Sequence, residues 1–128
     1  MFTSDDFNDL KFLEGRWEGT GPDGVKFYER YAFEGRNLMR STRFKDSSFS
    51  DAVDGSSVEF ADGRVVSKWN EFSWEASELA KDRACFSPVN APSAFCWELV
   101  SESELQVIQR WTGEDGSPQE YVVPLRRL

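Results

Sequence analysis

Glu29 and Tyr31 stand two positions apart, a spacing that projects both side chains from one face of an extended strand. A carboxyl beside a phenol in an apolar interior can take up and return a proton, because burial disfavours the charged form of the acid. Tyr121 supplies a second phenol. Such a set suits isomerisation, dehydration or decarboxylation of a small unsaturated substrate, and it suits plain binding equally well. In a binding reading, Glu29, Arg40 and Gln109 are the few convergent polar groups of a pocket walled by Tyr31, Trp69, Trp97, Trp111 and Tyr121. A buried Glu29 then needs Arg40, Gln109 or a ligand, since an unpaired buried carboxylate costs several kcal/mol.

Other chemistries are excluded by what the 128 residues lack. There is no histidine, which removes the commonest metal ligand, the usual neutral-pH acid/base and the activator of a nucleophilic serine. No metal site or cofactor is expected. Cys85 and Cys96 lie eleven positions apart, outside any metal-binding spacing, and read first as two small buried hydrophobes. A disulfide between neighbouring strands is the alternative. Asp54-Gly55 and Asp62-Gly63 read as turns.

The net charge is −8, so nucleic acid and anionic lipid are repelled on average. Arg36, Arg40, Arg43 and Lys45 form the densest basic stretch and read as the solvated side of a strand. No apolar run is long enough for a membrane helix, and Met1 leads into the acidic Thr3-Ser4-Asp5-Asp6 in place of a basic leader, so the cytoplasm is the expected compartment. A homodimer is the default expectation for assembly.

The elements that position these groups follow from periodicity. Thr3 and Asp6 suit a capping box, Phe2 and Phe7 a hydrophobic staple, and Phe7, Leu10 and Leu13 an apolar stripe, which predicts a helix over about 3–13, stopped by Gly15. From Arg16 the period changes to two. Strands are predicted around 16–20, 25–33 and 38–44, weakly around 49–53, then 58–61 and 64–69 joined by Asp62-Gly63. Residues 72–76 favour a strand, with a short helix over 74–80 as the competing reading. Residues 87–93 form a loop, followed by strands at 95–100, 105–112 and 119–127. Along 25–33, the residues Val25, Phe27, Glu29, Tyr31 and Phe33 share a face. Along 38–44, Arg40 is grouped with Leu38, Thr42 and Phe44 on the inward face.

Five Trp, eleven Phe and three Tyr supply the core of one domain spanning 1–128. Eight to ten short strands must dispose of two sheet edges. The expected fold is all-β, a single antiparallel up-and-down barrel with a short N-terminal helix, and a two-sheet sandwich satisfies the same alternation.

Leu13-Glu14-Gly15-Arg16-Trp17 behind a short amphipathic helix resembles the opening of the calycin-type barrels, which include the lipocalins, the fatty-acid-binding proteins and small bacterial lipocalin-like families. The resemblance implies a lipocalin-like barrel plugged at one end by the helix. It also implies that Trp17 packs there against an arginine of the last strand, Arg127 by parity or Arg126 if Pro124 marks a bulge. Gly15-Arg16-Trp17-Glu18-Gly19 is also similar to the nitrobindin-type haem barrels. Those hold iron through a histidine near the C-terminus, where this chain reads Val123-Pro124-Leu125-Arg126-Arg127-Leu128, so haem is not carried over. The leading expectation is a barrel enclosing a small apolar or aromatic molecule. The alternatives are a filled structural or protein-interaction barrel, and a small enzyme using Glu29.

Overall fold

The capping box forms at the chain's start. In the computed structural model, which describes residues 1–128, the Thr3 amide donates to Asp6 Oδ2 at 2.9 Å and the Asp6 amide to Thr3 Oγ1 at 3.2 Å. The α-helix α1 covers only Ser4–Asn8 and then tightens into a 3-10 turn over Asp9–Leu13. The three-residue spacing of Phe7, Leu10 and Leu13 matches the three residues per turn of that geometry, and all three side chains are fully buried.

Ten strands follow: β1 Gly15–Thr20, β2 Lys26–Phe33, β3 Leu38–Phe44, β4 Ala52–Ala61, β5 Arg64–Trp69, β6 Phe72–Leu79, β7 Arg83–Pro88, β8 Ala94–Ser101, β9 Glu104–Thr112 and β10 Pro118–Arg127. Each pairs antiparallel with its neighbours in sequence, and β1 pairs with β10, so the sheet is a closed barrel with no free edge. The fold is all-β, as the alternation requires, and the sandwich is ruled out.

Two local readings hold and two are corrected. Asp62 and Gly63 make a hairpin turn with φ of 54° and 76°, whereas Asp54-Gly55 lies inside β4, not at a turn. A Cβ on Gly55 would stand 2.8 Å from the Ser41 carbonyl oxygen, so the glycine lets β3 and β4 approach closely. The strand favoured at 72–76 forms and runs on to Leu79, with a bulge between Ala76 and Glu78. Cys85 and Cys96 are not separate thiols: they face each other across β7 and β8 and are joined as a disulfide. Against it pack Ile108 and Val122, a small cluster separate from the main core.

The helical segment closes one end. Phe7 meets Phe33 edge-on at 5.5 Å and stacks on Phe60 at 6.1 Å. Trp17 is fully buried below it, its indole N–H donating to the Leu13 carbonyl at 2.9 Å. The Arg127 guanidinium carbon lies 4.2 Å from the Trp17 ring centroid, and its N–H groups donate to the carbonyls of Phe12, Glu14 and Glu102 at 3.0, 2.7 and 2.9 Å. Arg126, by contrast, points outward to Glu18.

Candidate functional site

The opposite end, where the loops 21–25, 45–51, 70–71, 89–93 and 113–117 gather, carries no plug. There the interior opens as a cavity of about 500 Å³. Alternation builds its two unlike walls. Trp69 at the end of β5, Phe72 and Trp74 on β6, and Phe95 and Trp97 on β8 form an aromatic wall, while Glu29, Arg43, Asp54, Ser56, Ser67 and Gln109 bring polar groups from β2, β3, β4, β5 and β9. A second lobe of about 390 Å³ adjoins it, bounded by Phe27, Tyr31, Tyr121 and Val123. It shares Glu29, Arg43, Phe95, Trp97 and Gln109 with the first.

The aromatic rings brace one another. Trp69 stacks on Phe72 at 6.0 Å, and Trp74 meets Phe95 edge-on at 5.3 Å with the planes 82° apart. Phe95 meets Trp97 at 5.0 Å and Trp97 meets Tyr31 at 5.8 Å, both edge-on. Such edge-to-face contacts fix ring orientation as well as filling space. Two indole N–H groups are held at the mouth, Trp74 donating to the Ser93 carbonyl at 2.7 Å and Trp69 to Asp54 Oδ2 at 2.8 Å.

On the polar wall, Arg43 is the hub. It donates to Glu29 Oε1 at 2.9 Å, and its guanidinium carbon stands 4.2 Å from the Phe27 ring centroid. Tyr31 donates to the other oxygen of Glu29 at 3.3 Å. Both carboxylate oxygens of Glu29 therefore have protein partners. Burial, with the Glu29 charge added, pushes the Tyr31 hydroxyl well above its ordinary value. Deeper in, the hydroxyls of Ser41 and Ser56 bond each other at 2.5 Å.

Two solved structures are similar to the chain. A redesigned beta barrel is 14% identical, with 94% of this chain and 95% of that one covered at a TM-score of 0.42. EF1p2_mFAP2b bound to DFHBI is 14% identical, with 94% and 97% covered at 0.44. No family model matches the chain and no curated protein matches it.

Of the residues singled out in the sequence, Glu29, Tyr31, Trp97, Gln109 and Tyr121 border the interior space, and Trp69 stands at its mouth. Arg40 does not point inward. It is exposed on the outer wall and pairs with Glu34 at 2.5 Å. The inward residues of β3 are Met39, Ser41 and Arg43, so the parity of that strand is the reverse of the sequence expectation. Phe44 explains the reversal: it is buried, but outside the barrel, against Phe49 and beneath the Arg30 guanidinium. Trp111 is also displaced, lying half exposed beside Gln119 at the rim and lining neither lobe.

Arg43, Asp54, Phe72, Trp74 and Phe95 also line the cavity, and the sequence reading assigns none of them to a site. The alternation of Phe72 and Trp74 was a signal for the aromatic wall. Arg43 gave none, because it sits inside the basic stretch that reads as solvated.

Proposed function

We propose that this barrel binds a small, largely flat molecule in the mouth half of its interior and performs no chemistry on it. The observation that carries the reading is the two-walled cavity, a braced aromatic surface facing a few polar groups. Its volume of about 500 Å³ lies in the range of small-molecule sites, roughly 300 to 1,000 Å³. An apolar face of the ligand would lie on Trp74 and Phe95, while Gln109, Ser56 and Ser67 offer both donors and acceptors to its polar edge.

The enzyme reading loses support from the engagement of Glu29. Arg43 and Tyr31 each bond one oxygen of Glu29, so a substrate proton would have to share an oxygen with one of them. The filled-barrel reading loses support from the open lobes themselves. The helix plug and the Trp17–Arg127 contact support a calycin-like ancestry for the barrel.

Native mass spectrometry of the purified protein tests the proposal, the expected result being a retained mass of one small molecule per chain. Where the protein emerges empty, titration with naphthalene-sized aromatic probes should quench tryptophan fluorescence at one site. Val107→Trp, which fills the space between the lobes, should abolish that quenching while the far-UV spectrum stays that of a barrel. Quenching unchanged by this substitution would place binding elsewhere and defeat the reading.

A further inference from the structure

The charges around the mouth are unbalanced, and the imbalance carries an inference about the ligand. Arg43 is opposite Asp54 across β3 and β4 and is followed on its other side by Glu29 on β2. Its guanidinium turns to Glu29 and makes no ion pair with Asp54. The cavity lining thus holds two carboxylates and one guanidinium, and Asp54, exposed at the mouth, has no ion-pair partner. Its contacts there are neutral donors, the Trp69 indole N–H at 2.8 Å and the Gly55 amide at 2.8 Å.

Two further features point the same way. The indole that Asp54 holds belongs to a run of ring faces, Trp69, Phe72 and Trp74, at the entrance of the cavity. Indole faces are the strongest side-chain partners for a cation, and a carboxylate beside them adds direct attraction. The loops around the mouth carry Asp23, Asp46, Asp51, Glu71, Glu114 and Asp115 against Lys45 alone. A predominantly acidic rim of this kind raises the local concentration of oppositely charged solutes.

We infer that the cavity selects an organic cation, a protonated amine or quaternary ammonium on an aromatic or compact apolar body, with the positive group beside Asp54 and against the Trp69–Phe72–Trp74 rings. The inference rests on the binding function proposed above and adds the charge of the ligand to it. An anion of the same shape would bring its charge against Asp54 and the acidic loops, with the one guanidinium already engaged.

Three probes of nearly one shape separate the possibilities: phenyltrimethylammonium, its uncharged isostere tert-butylbenzene, and benzenesulfonate. Dissociation constants come from tryptophan quenching on the intact chain at low ionic strength. The cation is expected to bind about tenfold tighter than the isostere, with benzenesulfonate weakest. In Asp54→Asn, which keeps an acceptor for the Trp69 indole, the ratio of cation to isostere affinity should fall towards one. Trp69→Leu should narrow the same ratio through loss of the ring face. If tert-butylbenzene binds as tightly as the cation, or benzenesulfonate binds best, the charge selection is overturned and the binding function stands. If none of the three binds and the native protein carries no ligand, both are overturned.

Discussion

The guanidinium of Arg127 covers the ring of Trp17 at 4.2 Å while its N–H groups reach three carbonyls, those of Phe12, Glu14 and Glu102. One side chain thereby binds the last strand to the helical segment, to the linker before β1 and to the turn between β8 and β9. Gly15 leaves room for it, since a Cβ there would stand 2.8 Å from an Arg127 nitrogen. Trp17→Ala should lower the unfolding free energy by about 3 to 5 kcal/mol. Arg127→Lys, which keeps the charge but loses the planar fork, should also destabilise the protein measurably. Urea denaturation followed by tryptophan emission checks both.

Arg43 and Glu29 form the pair on which the polar wall depends. Arg43→Met leaves Glu29 half-buried with only Tyr31 as partner, and a cost of about 1 to 3 kcal/mol is expected. Adding Glu29→Gln removes the stranded charge, so the double variant should recover part of the loss. A double variant no more stable than Arg43→Met alone would show that the guanidinium acts mainly by covering Phe27.

Gly19 faces Phe27 across β1 and β2, and a Cβ there would fall 2.1 Å from the Phe27 ring. Gly19→Ala must therefore move the ring on which Arg43 lies. A loss of roughly 1 to 3 kcal/mol is expected from the overpacking, together with a changed near-ultraviolet circular dichroism spectrum from the displaced aromatics.

The buried Tyr31 hydroxyl holds its proton far above the value of 10.0 that it has when exposed. Above that pH the unfolded chain releases a proton that the native chain retains. Stability from this group is therefore complete below about pH 9 and falls as the pH rises through 10 and beyond. Denaturation midpoints between pH 8 and 11 should decline less steeply in Tyr31→Phe than in the parent protein.

The Cys85–Cys96 bond closes a short loop of chain between registered strands. Replacing both residues by serine should cost about 2 to 3 kcal/mol on the chain-entropy model. Reduction of the parent protein with a dithiol should shift its urea midpoint by a similar amount, and no shift would mean that the β7–β8 ladder alone sets the constraint.

The barrel was legible because alternation of apolar and polar residues survives in most strands, and because the turns fall where Gly, Pro, Asn and Asp cluster. The face of β2 was readable for the same reason: Phe27, Tyr31 and Phe33 all belong to the interior. On β3 the rule failed. Leu38 and Phe44 are apolar, yet Phe44 serves an outer cluster with Tyr28 and Phe49, so counting apolar residues selected the wrong side and exchanged Arg40 for Arg43. The pairing of Glu29 with Arg43 is a register fact, fixed by which residues of β2 and β3 stand opposite, and no spacing within either strand records it. Strand β7 was hidden for another reason. Its apolar core, Ala84-Cys85-Phe86, is buried on consecutive residues, since the outer face is covered around the disulfide, and a run of three gives no alternation to detect.

The ladder between β1 and β10 registers only three pairs, Trp17 with Arg127, Glu18 with Arg126 and Gly19 with Leu125, while every other ladder joins strands adjacent along the chain. It is the seam of the cylinder, where the first and last strands meet. A molecule caught with the seam unzipped presents two raw rows of amides and carbonyls, each able to zip onto those of a second copy. By tying β10 to Trp17 and to the segment before β1, Arg127 holds those rows together at the end of the barrel opposite the open mouth.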